Sequence, residues 1–136
     1  MQIILFTLND RHYAISTDMV EEISKQIPST NVPNSPDWVE GIINLRGNVV
    51  TLLNLSKLLQ QDDSICYNNI IIMNNNDEKI GLMVQEVLQV LDIELEDIQT
   101  LNSDEDDGML GIVQIGEEII DILEIEKLLS KNEGFI

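Results

Sequence analysis

The sequence predicts an all-β protein of the barrel or sandwich type. Short runs rich in Ile, Val and Leu recur along the chain, and turn-forming residues separate them about every eight to twelve positions. The apolar content is aliphatic, since Phe6, Phe135, Tyr13, Tyr67 and Trp38 are the only aromatic residues among 136. A chain of this length can bury about two-thirds of its unfolded surface, so it needs neither disulfide nor metal to fold.

The elements follow in order. QIILFTL (2–8) and HYAIS (12–16) flank Asn9-Asp10-Arg11 and read as a hairpin. STDMVEEISK (16–25) reads as a short helix capped by Ser16, Thr17 or Asp18, with Met19, Val20 and Ile23 on its apolar edge. Residues 27–38 hold all three prolines and form an extended connector. Within it Trp38 is expected to act as a lid over a small core. Gly41–Leu45 and Asn48–Leu53 form a second hairpin around Arg46-Gly47, and SKLLQ a helical turn started by Asn54 or Ser56. NNIIIMN (68–74) is a strand, and KIGLMVQEVLQVLDI (79–93) is strand interrupted by a bulge or bend. MLGIVQIG and EEIIDILEI (109–125) make a last hairpin around Gly116-Glu117, and Glu126–Lys131 a terminal helical turn or two. No repeat of fixed period is visible.

Composition narrows function. The formal net charge is -18, with eight acidic and four basic side chains in residues 1–68 and seventeen against three in 69–136. Such a surface repels nucleic-acid phosphates and anionic lipid. No run approaches the ~18 apolar residues of a membrane span, and the N-terminus lacks a basic leader, so the expected location is the cytoplasm. Cys66 is the sole cysteine and permits no intramolecular bridge.

Catalytic patterns are missing. His12 is the only histidine and stands beside a turn, as a solvated or half-packed residue. No phosphate loop, nucleophile elbow, His-Glu-x-x-His or Cys-x-x-Cys is present. Ser103-x-Glu105-x-Asp107-Gly108 imitates half of a calcium loop, but its twelfth position is Gln114, which cannot supply the bidentate carboxylate. The expectation is a protein that is not an enzyme and holds no metal or cofactor. Arg46, one of two arginines, leaves an aliphatic hairpin at its turn. It is either a clasp to a carboxylate inside the fold or a donor toward a partner.

Gly41-Ile-Ile-Asn44-Leu45-Arg46-Gly47 resembles the Gly-x-x-Asn-Leu-Arg-Gly signature of the CheW family of chemotaxis coupling proteins. Phe6–Leu8, Tyr13–Ile15, Val20–Ile23, Val32-Pro33, Gly81–Val87 and Leu123–Leu129 are similar to further family elements, in the family's order. The resemblance implies a single domain over 1–136, made of two intertwined five-stranded SH3-like β-barrels with short helical turns and a short C-terminal helix. Their division would fall roughly at 16–66 versus 1–15 plus 67–136. It implies a non-enzymatic adaptor, a monomer that joins receptor–kinase arrays. Its partners would be the cytoplasmic tip of methyl-accepting receptors and the regulatory domain of a histidine kinase; the alternative is a coupling or competitor module of a non-flagellar array, such as one for twitching motility. By the same resemblance Val20 and Glu22 fall on a receptor-binding surface, and Gly41, Asn44, Arg46 and Gly47 belong to the signature near a groove between barrels. Thr51, Asn54 and Gln85 depart from the family's proline and two aspartates, removing carboxylates that could hold Arg46 or a turn.

Overall fold

The computed structural model describes residues 1–62, 65–100 and 108–132. Ten strands alternate with little helix: β1 (Gln2–Leu8), β2 (Arg11–Ser16), β3 (Val20–Lys25), β4 (Val39–Leu45), β5 (Asn48–Asn54), β6 (Asn69–Asn75), β7 (Glu78–Val84), β8 (Glu86–Asp92), β9 (Met109–Ile115) and β10 (Glu118–Leu123). α1 (Leu55–Leu58) follows β5, α2 (Ile125–Lys131) follows β10, and a 3₁₀ turn covers Leu95–Asp97. Two five-stranded sheets result, in the orders β8-β1-β2-β10-β9 and β3-β6-β7-β5-β4.

The chain accordingly divides into two units. The first contains 1–18 and 87–136, the second 19–86. The sequence places residues 67–86 with the chain termini, whereas the structure places them in the second unit. The reason is pairing: β6 runs antiparallel to β3 over Lys25↔Asn69 to Val20↔Met73, and β7 runs parallel to β5 over Thr51↔Ile80 to Asn54↔Met83.

The expected helix after Ser16 is also corrected. Val20–Lys25 is strand β3, its residues alternating half-buried and exposed, and the Ser16 hydroxyl accepts the Asp18 N–H to close a turn, not a helix. Edge pairing to β6 supplies backbone partners that a six-residue helix could not match, given how costly a helical nucleus is. The run 79–93 is two strands separated at Gln85, as the β-branched content implies.

Turn chemistry sets the hairpin registers. Asn9-Asp10, Arg46-Gly47 and Asn76-Asp77 all carry positive φ at both central positions, the type I′ geometry that matches the twist of two-residue hairpins. Each unit is then closed across its edge strands. In the second unit the chain leaving β3 reaches β4, where Thr30 and Ile42 exchange two backbone hydrogen bonds of 2.9 Å. In the first, Gln99 beyond β8 does the same with Ile112 of β9, at 2.8 and 2.9 Å. This closure satisfies edges that would otherwise invite aggregation.

The two units are copies of one design. Registers in β9–β10 reproduce those in β4–β5 at an offset of 70 residues, from Leu45↔Asn48 and Ile115↔Glu118 to the bulged pairs Val39↔Leu53 and Met109↔Leu123. The cores correspond as well. Ile43, Val50, Leu52, Ile70 and Ile72 in the second unit stand where Val113, Ile120, Ile122, Ile3 and Leu5 stand in the first. No repeat was visible in the sequence because the order is permuted: β6 and β7 follow their hairpin, while their counterparts β1 and β2 precede theirs.

Asn54 shows how a departure from the family pattern is absorbed. It is buried, and its Oδ1 accepts both the Lys57 N–H and the Tyr67 hydroxyl at 3.1 Å, capping α1. Asn caps as well as Asp. Loss of the cap and of the Tyr67 acceptor in Asn54→Ala is expected to cost about 2 kcal/mol, read as a lower denaturant midpoint, with Asn54→Asp near wild type.

Candidate functional site

The hairpin β4–β5 carries most of the signature. Arg46 occupies its first central position at φ 52° and Gly47 the second at φ 84°. Asn44 accepts the Gly47 N–H through Oδ1 at 3.1 Å, which holds the turn from below. Every other non-glycine at a positive φ in the two-residue hairpin turns is Asn or Asp, the types that tolerate this region. Arginine gains nothing from it. An L-residue there is strained by about 1 kcal/mol, so the side chain has to be explained by what it reaches.

It reaches Glu22. The Arg46 guanidinium donates through an Nη to Glu22 Oε1, joining the hairpin tip to edge strand β3 across the barrel closure. Glu22 is half-buried and Arg46 is 69% exposed, so the pair stands at the surface with guanidinium edges left for another acceptor. Val20, two residues before Glu22 and separated from it by a β-bulge, is half-buried. Glu21, at the β-bulge next to Glu22, is held by Lys79 Nζ and by Asn74 Nδ2, and the lysine hydrogen bond keeps its carboxyl below the ordinary range. β3 is thus fastened by two neighbouring carboxylates that use different cations.

Gly41 answers to packing. An added Cβ would stand 2.4 Å from the Thr30 carbonyl oxygen and 2.9 Å from Ser29 Oγ. Gly111, its counterpart in the first unit, has the Gln99 carbonyl oxygen at 2.5 Å from such a Cβ. Both glycines let the closing segment approach the hairpin.

The remaining departures are also placed. Gln85 accepts the Asn68 N–H with its carbonyl at 3.0 Å, a backbone role that any residue can fill. Thr51 lies in β5 opposite Ile42 and Ile80. Its counterpart Asp121 is raised above the ordinary carboxylate range by burial, against a smaller opposing pull from Arg11. The folded state therefore favours the protonated form, and stability falls as pH rises from about 3.8 upward through the raised pKa. Asp121→Asn is expected to raise Tm at pH 7 and to flatten that part of the pH–stability curve.

Other candidates resolve plainly. Trp38 is buried in the connector, and its carbonyl accepts the Asn54 N–H. His12 stands on β2 with Nδ1 3.4 Å from Glu118 Oε2, and Cys66 is exposed. Residues 103–107 of the calcium-like stretch lie outside the described residues. Among the described residues no cluster of metal-ligating side chains occurs and no helix is long and apolar enough to cross a membrane.

Two five-stranded units of one topology, one bearing a charged hairpin tip clasped to an edge strand, define the class: a double-barrel module that presents hairpin surfaces. The CheW-like domain model matches residues 2–133, and the chain belongs to the CheW family. It is 32% identical to the chemotaxis protein CheW of Klebsiella aerogenes, over 97% of this chain and 83% of that protein. It is 29% identical to the chemotaxis protein CheW of Thermotoga maritima, over 96% and 88%. The crystal structure of the scaffolding protein TtCheW from Thermoanaerobacter tengcongensis superposes with a TM-score of 0.84 at 28% identity, covering 93% of this chain and 86% of that one. The family is one of bacterial chemotaxis scaffolds and adaptors.

Proposed function

We propose that this chain is a cytoplasmic, non-enzymatic adaptor that couples methyl-accepting chemotaxis receptors to the regulatory domain of a chemotaxis histidine kinase. In this reading Val20, Glu22 and Arg46 form a partner-binding surface on the second unit, with Asn44 and Gly47 fixing the turn that displays the arginine and Gly41 the closure beneath it. One observation carries it. The first unit is an internal control: it builds the same closed sheet with Gly116 where the second has Arg46, so the fold does not require a guanidinium at the tip. A strained arginine that the architecture can omit is best explained by what binds it.

The test is reconstitution from purified parts: a receptor cytoplasmic fragment, the histidine kinase and this chain. An adaptor raises receptor-dependent autophosphorylation of the kinase and brings receptor and kinase into one sedimenting complex. Unchanged activity with no shared complex would remove the coupling role. Lowered activity would identify a competitor that occupies array positions without coupling.

A further inference from the structure

Duplication gives each position of the first unit a reference in the second. The β1–β2 pair Ile3↔Ser16 corresponds to Ile70↔Met83 of β6–β7, as the β9–β10 hairpin corresponds to β4–β5. In each unit one parallel seam joins the two halves of the sheet, β5 to β7 in the second and β10 to β2 in the first. Their registers agree: Thr51↔Ile80 and Leu52↔Gly81 map onto Asp121↔Tyr13 and Ile122↔Ala14. The second unit's seam then runs on through Leu53↔Leu82 to Asn54↔Met83. The first unit's seam stops at Ile122↔Ala14.

Three residues account for the shorter seam. Ser16 stands where the second unit has Met83. Met83 is buried in its core, whereas Ser16 is half-buried and its hydroxyl accepts the Asp18 N–H. Glu124 stands where the second unit has Asn54. Asn54 caps α1 through the Lys57 N–H, whereas Glu124 makes no side-chain cap to α2 and pairs with Lys127 Nζ at 3.3 Å. Asp121 stands where the second unit has Thr51. It is half-buried, and burial opposes its charged form more than Arg11 favours it.

Connectivity acts in the same direction. The second unit is the continuous stretch 19–86, whereas the first is assembled from 1–18 and 87–136. Its seam therefore joins segments far apart along the chain, and closing such a loop costs more entropy than the short closure from β5 to β7. Parting β2 from β10 takes no strand away from the second unit.

We propose that the β2–β10 seam is a conformational latch: it parts as a local opening of the first unit while the second unit stays folded. The open form bares Ala14, Ile120 and Ile122 of the core and the facing edges of β2 and β10. Any partner that grips the closed first unit binds with an affinity reduced by the open fraction, so the seam sets how much of the chain is competent. The latch is independent of the adaptor reading.

Native-state hydrogen exchange on the full chain tests it, resolved by residue at constant pH over a series of low urea concentrations. Amides of β2 and β10 are expected to exchange through an opening of small urea dependence, at least about tenfold more populated than the one that exposes β5 and β7. Asp121→Thr and Glu124→Asn install the second unit's residues, and each should lower the population of that opening about threefold or more. Asn54→Ala is the control: it weakens the second unit, so it should speed exchange in β5 and β7 and leave the β2–β10 opening within about twofold. A single shared opening for β2, β10, β5 and β7 overturns the latch. So does an Asn54→Ala effect of equal size in both seams. An opening unmoved by both Asp121→Thr and Glu124→Asn overturns it too, because the weak point then lies away from the seam.

Discussion

Gly41→Ala is expected to destabilise the protein by about 3 kcal/mol, the largest stability loss of any single methyl addition in the signature hairpin. The added Cβ meets the Thr30 carbonyl oxygen at 2.4 Å, and that atom is backbone, so no side-chain rotation relieves the clash. Relief requires the closing segment to lift from β4, which gives up the two Thr30–Ile42 hydrogen bonds that seal the second unit. Thermal unfolding would fall by roughly 10 °C for a domain of this size. Gly47 is the control within the same hairpin. Nothing lies within 4 Å of its Cβ position, and only its φ of 84° opposes a side chain, so Gly47→Ala should cost about 1 kcal/mol. Gly41→Ala as stable as wild type would mean that the Thr30 bridge does not close the barrel. The comparison sets turn geometry alone, at Gly47, against close approach joined to a positive φ of 154°, at Gly41. Any loss of partner binding in Gly41→Ala should therefore be read beside its folding.

Much of this architecture was legible because turn residues are local. Asn9-Asp10, Arg46-Gly47 and Gly116-Glu117 announce their hairpins within a few positions, and the flanking aliphatic runs supply the strands. β3 was not legible, since Val20, Glu21, Glu22 and Ile23 suit a helix edge as well as an edge strand. What decides between them is β6, some fifty residues away. The duplication escaped because its halves share core positions more than identities and are permuted in order. The unit boundary went with it, as β6 and β7 could be assigned only once their partners were known. At the candidate site the arginine was visible and its partner was not. A chain with 25 carboxylates gives no local reason to choose Glu22, which comes within reach only when β3 lies at the barrel closure.

Arg46→Gly is expected to leave stability within about 1 kcal/mol of wild type while weakening partner association by about 1–3 kcal/mol, roughly tenfold to more than a hundredfold. The two halves of that expectation come from different parts of the residue. Its backbone sits at φ 52°, where glycine removes about 1 kcal/mol of strain. Its side chain loses the ion pair with Glu22, which at 69% exposure contributes about 0.2–1 kcal/mol. For the folded chain alone these nearly cancel. At an interface they do not: water is excluded, the guanidinium keeps donors beyond those used by Glu22, and removing it leaves acceptors on both Glu22 and the partner unanswered. Arg46→Lys sharpens the test, because it keeps the charge and the backbone strain but lacks the forked donors, and it should recover little of the lost affinity. Glu22→Gln, combined with Arg46→Gly in a double-mutant cycle, then apportions the effect. A coupling confined to the bound state assigns the pair to partner recognition. A drop of several degrees in the Tm of free Arg46→Gly, with affinity retained, would make the arginine a clasp of the second unit, and the partner-binding surface would have to be sought elsewhere on the fold.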